Sequence, residues 1–325
     1  MPQHNRIQFS VLLLLFLAGC VLSLLYGGSE KISISDLSSD QFIFWQIRVP
    51  KTITAVLAGC TLSVSGLLLQ IIFRNPLAGP YVLGISSGAS LMVAVSLMAG
   101  PLFGGLFMGK SMLLLSAITG SLLITFVVLA ISEKVSSNVI LLLIGLMLSQ
   151  ICSALQMALE YFSDPNNLKS FVIWGMGSLA NTTNADLGIY VPATLMAVFA
   201  VLFFIKPLNA MLLGEDYARN VGIDFKRSRF YLILLSSCLT GITTAFCGPV
   251  AFVGIAVPIL SRLIFKSSRQ QVHFFSCLLI GSIILLFADA ITNSLIKSVS
   301  LPINMITTFI GAPLVIYLMF KNKQW

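Results

Sequence analysis

Long apolar segments recur along the whole chain, and they constrain the fold more than any other feature. A helix that crosses a bilayer needs about 20 mostly apolar residues, because lipid offers no hydrogen-bond partner to an open backbone. We therefore expect an all-α, polytopic membrane protein with about ten transmembrane helices, in which residues 1–325 form a single transmembrane domain. The ten segments are 9–27, 52–72, 82–99, 112–132, 138–160, 185–205, 229–247, 250–266, 273–290 and 303–320.

Composition and charge agree with this interpretation. Only 9% of the residues are charged, against about 25% in soluble domains, and the mean hydropathy is +0.99. With the N-terminus placed inside, 13 of the 19 Lys and Arg residues fall on the cytoplasmic side. Cytoplasmic loops retain Lys and Arg, so both termini are expected in the cytoplasm of a bacterial inner-membrane protein. The net charge of +8 is explained by this topology and does not indicate nucleic-acid binding.

No catalytic or metal centre is indicated. The six cysteines lie in or beside apolar segments without C-x-x-C spacing. The two histidines, His4 and His273, lie far apart in the sequence, so neither a histidine metal site nor a Ser-His triad can be assembled convincingly. We expect no cofactor to be bound by this chain and no enzymatic activity in it.

Polar residues on one face of the fifth segment suggest a translocation pathway. From Asn138 to Glu160 they recur at helical spacing, and polar groups in hydrocarbon should face water or a partner helix. The alternative is hydrogen bonding between helices. Asn304 in the tenth segment repeats the pattern weakly. The predicted pathway residues are Ser149, Ser153, Gln156, Glu160 and Asn304.

A similar stripe in the second segment contains mainly small residues, including Gly59, Ser63, Gly66 and Gln70. Close helix packing is the favoured interpretation there.

A short charged segment between the sixth and seventh helices indicates a contact site for a cytosolic partner. It begins at Leu213-Gly214-Glu215 and ends at Gly222, with small Ala218 one turn before. This spacing predicts a compact surface helix that could slot into another protein. A solvated linker is the alternative.

Several motifs in order along the chain resemble the FecCD family of permeases. They are Arg48-Val49-Pro50-Lys51, Asn75-Pro76-Leu77-Ala78, Trp174-Gly175-Met176-Gly177-Ser178, the Leu213–Gly222 segment, Gly248-Pro249 through Arg262, Asp289 and Gly311-Ala312-Pro313. The sequence departs from the family pattern at Ile259, at Asn293 and from Ser300 to Asn304. These departures bear on substrate class and on docking at the outer surface.

The resemblance implies a type II ABC importer for iron-siderophore, haem or cobalamin substrates. It implies a homodimer with two cytosolic ATPase subunits, which would bind ATP and Mg, and an external substrate-binding protein. ATPase coupling is expected at Leu213, Gly214, Glu215, Ala218 and Gly222, and docking of the binding protein at Arg48, Lys51 and Lys297.

The rival interpretation is an ion-coupled secondary transporter, but the acidic residues Glu160 and Asp289 lie at helix ends and no histidine lies mid-helix.

Overall fold

The computed structural model describes residues 3–26, 41–99, 110–135, 137–294 and 301–321. In these ranges every regular element is helical, and π-helical stretches occur at Phe44–Arg48 and Val95–Ala99. The α-helices are α1 Gln3–Tyr26, α2 Gln41–Ile43, α3 Val49–Phe73, α4 Ile85–Ala94, α5 Lys110–Ser132, α6 Asn138–Tyr161, α7 Pro165–Gly175, α8 Asn184–Phe203, α9 Ile205–Leu213, α10 Glu215–Asn220, α11 Phe225–Cys247, α12 Val253–Ile264, α13 Gln270–Ser294 and α14 Ile303–Lys321.

Each of the ten predicted apolar segments corresponds to a helix. Seven helices in the described ranges are long and apolar enough to cross a membrane, and three shorter apolar helices correspond to the remaining segments. The short ones are Ile85–Met98, Val253–Ile264 and Ile303–Leu318. Irregular backbone precedes the first two, and its buried parts, such as Gly79 to Pro80 and Gly248, lie against protein, where other groups can satisfy the backbone. The prediction of an all-α fold with about ten spanning helices is confirmed.

Helix α3 forms the centre of the molecule and packs against α11, α12 and α13. Two crossings depend on glycine. A Cβ added at Gly66 would lie 1.7 Å from the Gly254 carbonyl oxygen, and one at Gly59 would lie 2.3 Å from that of Gly281. The backbones touch directly at both crossings. The small residues of α3 therefore serve close packing, which is the interpretation that the sequence favoured.

Buried hydroxyl groups connect the same helices. Ser65 of α3 lies 2.7 Å from the Ser236 hydroxyl and 2.8 Å from that of Thr240, both on α11. Ser63 donates to the Cys277 carbonyl of α13 at 2.8 Å. Lipid cannot satisfy such groups, so each bond favours the packed arrangement.

Helices α2, α7, α9 and α10 lie in the connections between the predicted apolar segments. Helix α7 begins after Asp164, whose side chain accepts from the Asn166 amide, and Pro165 occupies its first turn. An N-cap Asp followed by Pro at the first helical position is a recognisable start signal. Helix α9 precedes α10 without a spanning length.

Candidate functional site

The predicted surface helix exists as α10, and its packing depends on small residues. Ala218 is fully buried, whereas Tyr217 and Val221 are 48% and 57% exposed. Gly214 and Gly222, at either end, have φ angles of +124° and +81°, which disfavour any residue with a side chain. Glu215 pairs with Arg219 one turn later at 2.6 Å. The segment is thus a compact knob with a buried base and an exposed apolar and charged tip.

Helix α9, which leads into the knob, is tied to the end of the central helix. Arg74 follows α3 in a left-handed conformation, and its Nη2 donates to the Met211 carbonyl at 3.3 Å. The same nitrogen lies 3.2 Å from where a Cβ on Gly214 would be. Arg74 thus contacts the end of the segment that leads into α10.

A second contact joins the end of α3 to α12. Gln70 donates to the Ile255 carbonyl at 3.0 Å and accepts from Arg262 Nη1 at 2.9 Å. Both motif residues, Gln70 and Arg262, therefore fix the relative position of two helices near the knob. Ile259, where the sequence departs from the family pattern, is buried in the same helix α12.

The polar stripe of α6 faces α4 inside the subunit. Gln156 donates to the Ser87 carbonyl at 3.1 Å, and Ser149 Oγ lies 2.9 Å from where a Cβ on Gly84 would be. Ser149, Ser153, Gln156 and Glu160 are all half-buried. For Ser149 and Gln156 these contacts match the alternative interpretation, hydrogen bonding and packing between helices. Both side chains are still partly exposed, so their assignment to a pathway wall stays a prediction.

A different face of α6 is open. Leu143, Met147, Gln150, Ala154 and Met157 recur at helical spacing and are exposed in the subunit. Gln150 is the most informative of them, because it places a side-chain amide in the middle of a spanning helix where no other helix of the described residues covers it. Gln150 lies off the longer polar stripe, so the periodicity of that stripe did not single it out.

Asn304 connects three elements at the opposite end of the molecule from α10. Its side-chain Oδ1 accepts from the backbone N–H of Ala251 at 3.1 Å, and its backbone N–H donates to the Met176 carbonyl at 3.4 Å. It also lines a surface groove of about 550 Å³ between α7 and α14, together with Met176, Met305 and Thr308. Asn304 is thus both a structural link and a groove residue.

The predicted docking pair is buried, and its role must be corrected. Arg48 is 2% exposed, and its Nη1 donates to the Leu24 and Leu25 carbonyls, each at 2.7 Å. Lys51 is 5% exposed and lies 2.8 Å from Asp289 Oδ1. Both charges are used inside the subunit, to join α1, α3 and α13, and do not face an external protein. Lys297, the third docking residue, lies outside the described residues.

In the part of the chain that the structure describes, no three His, Cys, Asp or Glu side chains group together in a way that could hold a metal ion. The arrangement offers a knob, open helix faces and a groove, which suit movement of a substrate through a membrane.

Comparison with known proteins decides the family. The model of the FecCD transport family matches residues 12–321. The chain belongs to the FecCD transport family. It is 35% identical over 324 residues to the vitamin B12 import system permease protein BtuC of Klebsiella pneumoniae, covering 99% of this chain and 95% of the relative. The BtuC protein of Salmonella typhi is 34% identical over 328 residues, with 99% and 98% covered.

Solved structures give the same result. A metal-chelate type ABC transporter in an inward-facing conformation is 31% identical and superposes with a TM-score of 0.87, over 98% of this chain and 99% of that one. PsaBC from Streptococcus pneumoniae, at 15% identity and a TM-score of 0.59 over 90% and 95%, shares the fold alone. This FecCD family member is a multi-pass permease subunit of an ABC importer in the bacterial inner membrane, and ATP hydrolysis belongs to a separate subunit.

Proposed function

We propose that this FecCD family permease imports a cobalamin-type or other metal-chelate substrate, with iron-siderophore and haem complexes as members of the same class. The observation that carries the proposal is similarity over nearly the whole chain to vitamin B12 permeases, joined to a close structural match with a metal-chelate transporter. Residues of this chain would guide the substrate without any chemical change to it.

The assembly we propose is a homodimer with two cytosolic ATPase subunits and an external substrate-binding protein. The ATPases bind ATP and Mg, and both termini of the permease lie in the cytoplasm with α10. Closure of the ATPases would move the α10 knob, and Arg74 would transmit that movement to the loop after α3. Such a switch requires contacts that differ between inward and outward states.

The pathway, in this proposal, runs between two copies of the chain along the open face of α6 and the groove beside Asn304. Gln150 supports it, because an amide facing lipid at mid-helix would be costly.

Cysteine labelling tests the pathway with a matched pair of glutamines. In a variant without native cysteines, Gln150→Cys should react with a water-soluble thiol reagent in the assembled transporter, in at least one nucleotide state. Gln156→Cys, which faces α4, should react far more slowly. If Gln156→Cys reacts and Gln150→Cys is protected in all states, the polar stripe and not the open face of α6 lines the pathway.

Substrate class is tested by ATPase stimulation. The permease, its cognate ATPase and binding protein are reconstituted, and hydrolysis is measured with cobalamin, haem or an iron-siderophore loaded on the binding protein. One chelate should stimulate hydrolysis above the level of the empty binding protein. A complex that responds to none of the three, although it assembles fully, would reject the proposed class.

A further inference from the structure

A cavity of about 720 Å³ opens beside α10, between the end of α5 and the start of α11. Positive side chains outnumber negative ones in its lining. Arg219 pairs with Glu215 at 2.6 Å, and Arg227 pairs with Asp224 at 3.1 Å, so these four charges largely neutralise each other. The charged lining consists of Glu133, Glu215, Arg219, Lys226, Arg227 and Arg229.

Arg229 is the residue that distinguishes this cavity from an ordinary charged surface. It is only 8% exposed, and its Nε and Nη2 have no hydrogen-bond partner within the described part of the chain. A buried guanidinium with unsatisfied donors is costly, and native proteins usually satisfy such groups. An anion in the cavity would supply the missing acceptors after a small movement of the side chain.

The position of the cavity indicates which anion it takes. Arg229 lies in the first turns of the spanning helix α11, where the chain enters the membrane. The next two residues, Phe230 and Tyr231, also line the cavity and are 37% and 49% exposed, as expected of aromatic side chains at a membrane interface. Basic pockets between spanning helices on the cytoplasmic side bind acidic lipid headgroups.

We propose that this cavity binds the phosphate of an acidic phospholipid headgroup, with Arg229 and Lys226 as its ligands. The guanidinium presents paired donors that match phosphate oxygens, and the cavity is larger than a single carboxylate requires. Glu215 and Arg219 lie on α10 and line the same cavity, so the bound lipid would hold the knob in position. That consequence rests on the proposed coupling function, whereas lipid binding itself does not.

Native mass spectrometry of the purified full-length chain tests the proposal. Delipidated protein in detergent is titrated with phosphatidylglycerol or with phosphatidylcholine of the same acyl chains. Phosphatidylglycerol should bind preferentially, and Arg229→Gln should weaken its binding about tenfold or more, since hydrogen bonds to charged groups are strong. Arg229→Lys should be intermediate. Lys206→Gln removes an exposed charge outside the cavity lining and should bind normally.

Two controls keep the result interpretable. The thermal unfolding midpoint of each variant shows whether it is folded, and inorganic phosphate is added as a competitor. Millimolar phosphate should not displace the lipid, because the acyl chains contribute to binding; displacement would assign the cavity to a soluble anion instead. Unchanged phosphatidylglycerol binding in Arg229→Gln, or equal binding of phosphatidylcholine, would overturn the proposal. It would also be overturned if Arg229→Gln lost association with the ATPase but kept its lipid.

Discussion

At the scale of single residues, buried charges join helices α1, α3 and α13. Arg48 and Lys51 lie at the start of a spanning helix in a basic motif, and the sequence alone could not distinguish an exposed pair from a buried one. Their partners, Leu24, Leu25 and Asp289, lie on other helices far along the chain. Ser23 also donates to Asp289, at 3.0 Å, so the carboxylate joins α1 to the pair. Such long-range pairing requires the fold.

Asp289→Asn should destabilise the protein strongly. It removes the carboxylate charge opposite Lys51, and breaking one partner of a buried ion pair typically costs about 3–5 kcal/mol. The thermal unfolding midpoint of the purified chain should fall. Asp224→Asn, which disrupts the exposed pair with Arg227, should change it little. The double variant Lys51→Met/Asp289→Leu should recover much of the loss; equal effects of the two single variants would contradict the structural role of the buried pair.

At the scale of helices, the sequence was most informative where a pattern repeats. Apolar length predicted the ten segments, and small residues on α3 predicted close packing, now seen at Gly59 and Gly66. The polar stripe on α6 was ambiguous, because the same periodicity suits a pathway wall and a helix contact. The hydrogen bond from Gln156 to the Ser87 carbonyl shows the helix contact, and the pathway wall stays a prediction.

Gly66→Ala should destabilise the α3–α12 crossing. Its Cβ would overlap the Gly254 carbonyl, and overpacking typically costs about 1–3 kcal/mol. Gly188→Ala on α8 is the matched control, because nothing lies within 4 Å of its Cβ position and helix propensity favours Ala by about 0.5–1 kcal/mol. Unfolding of the two purified variants measures both effects. A Gly66→Ala protein as stable as Gly188→Ala would contradict the direct backbone contact.

Gly222 should be needed for coupling because of its backbone and its position at the end of α10. Gly222→Asn keeps a small residue that tolerates positive φ, so transport should be largely retained. Gly222→Trp adds both strain and bulk, although open space surrounds the Cβ. It should leave membrane insertion intact and abolish ATP-driven uptake. If Gly222→Trp assembles normally with the ATPase and transports as well as Gly222→Asn, this segment is not the coupling contact.

At the scale of the whole molecule, one chain accounts for the fold but not for the complete pathway. The open face of α6 around Gln150 and the groove at Asn304 have no covering helix within the described subunit. Sequence could indicate their chemistry but not what faces them, since in the proposed homodimer a second copy and the ATPases would form surfaces that no single chain contains. Substrate identity is hidden for the same reason, because ordinary polar and aliphatic side chains line such a pathway.

ATP-driven uptake into reconstituted vesicles tests the central claim most directly. Vesicles containing the permease and its cognate ATPase are supplied with the substrate-loaded binding protein on the outer side, and labelled substrate inside is counted. The account predicts uptake that requires MgATP and the ATPase, and that persists when proton and sodium gradients are collapsed. Uptake driven by an ion gradient through the permease alone, without ATP or the ATPase, would contradict it.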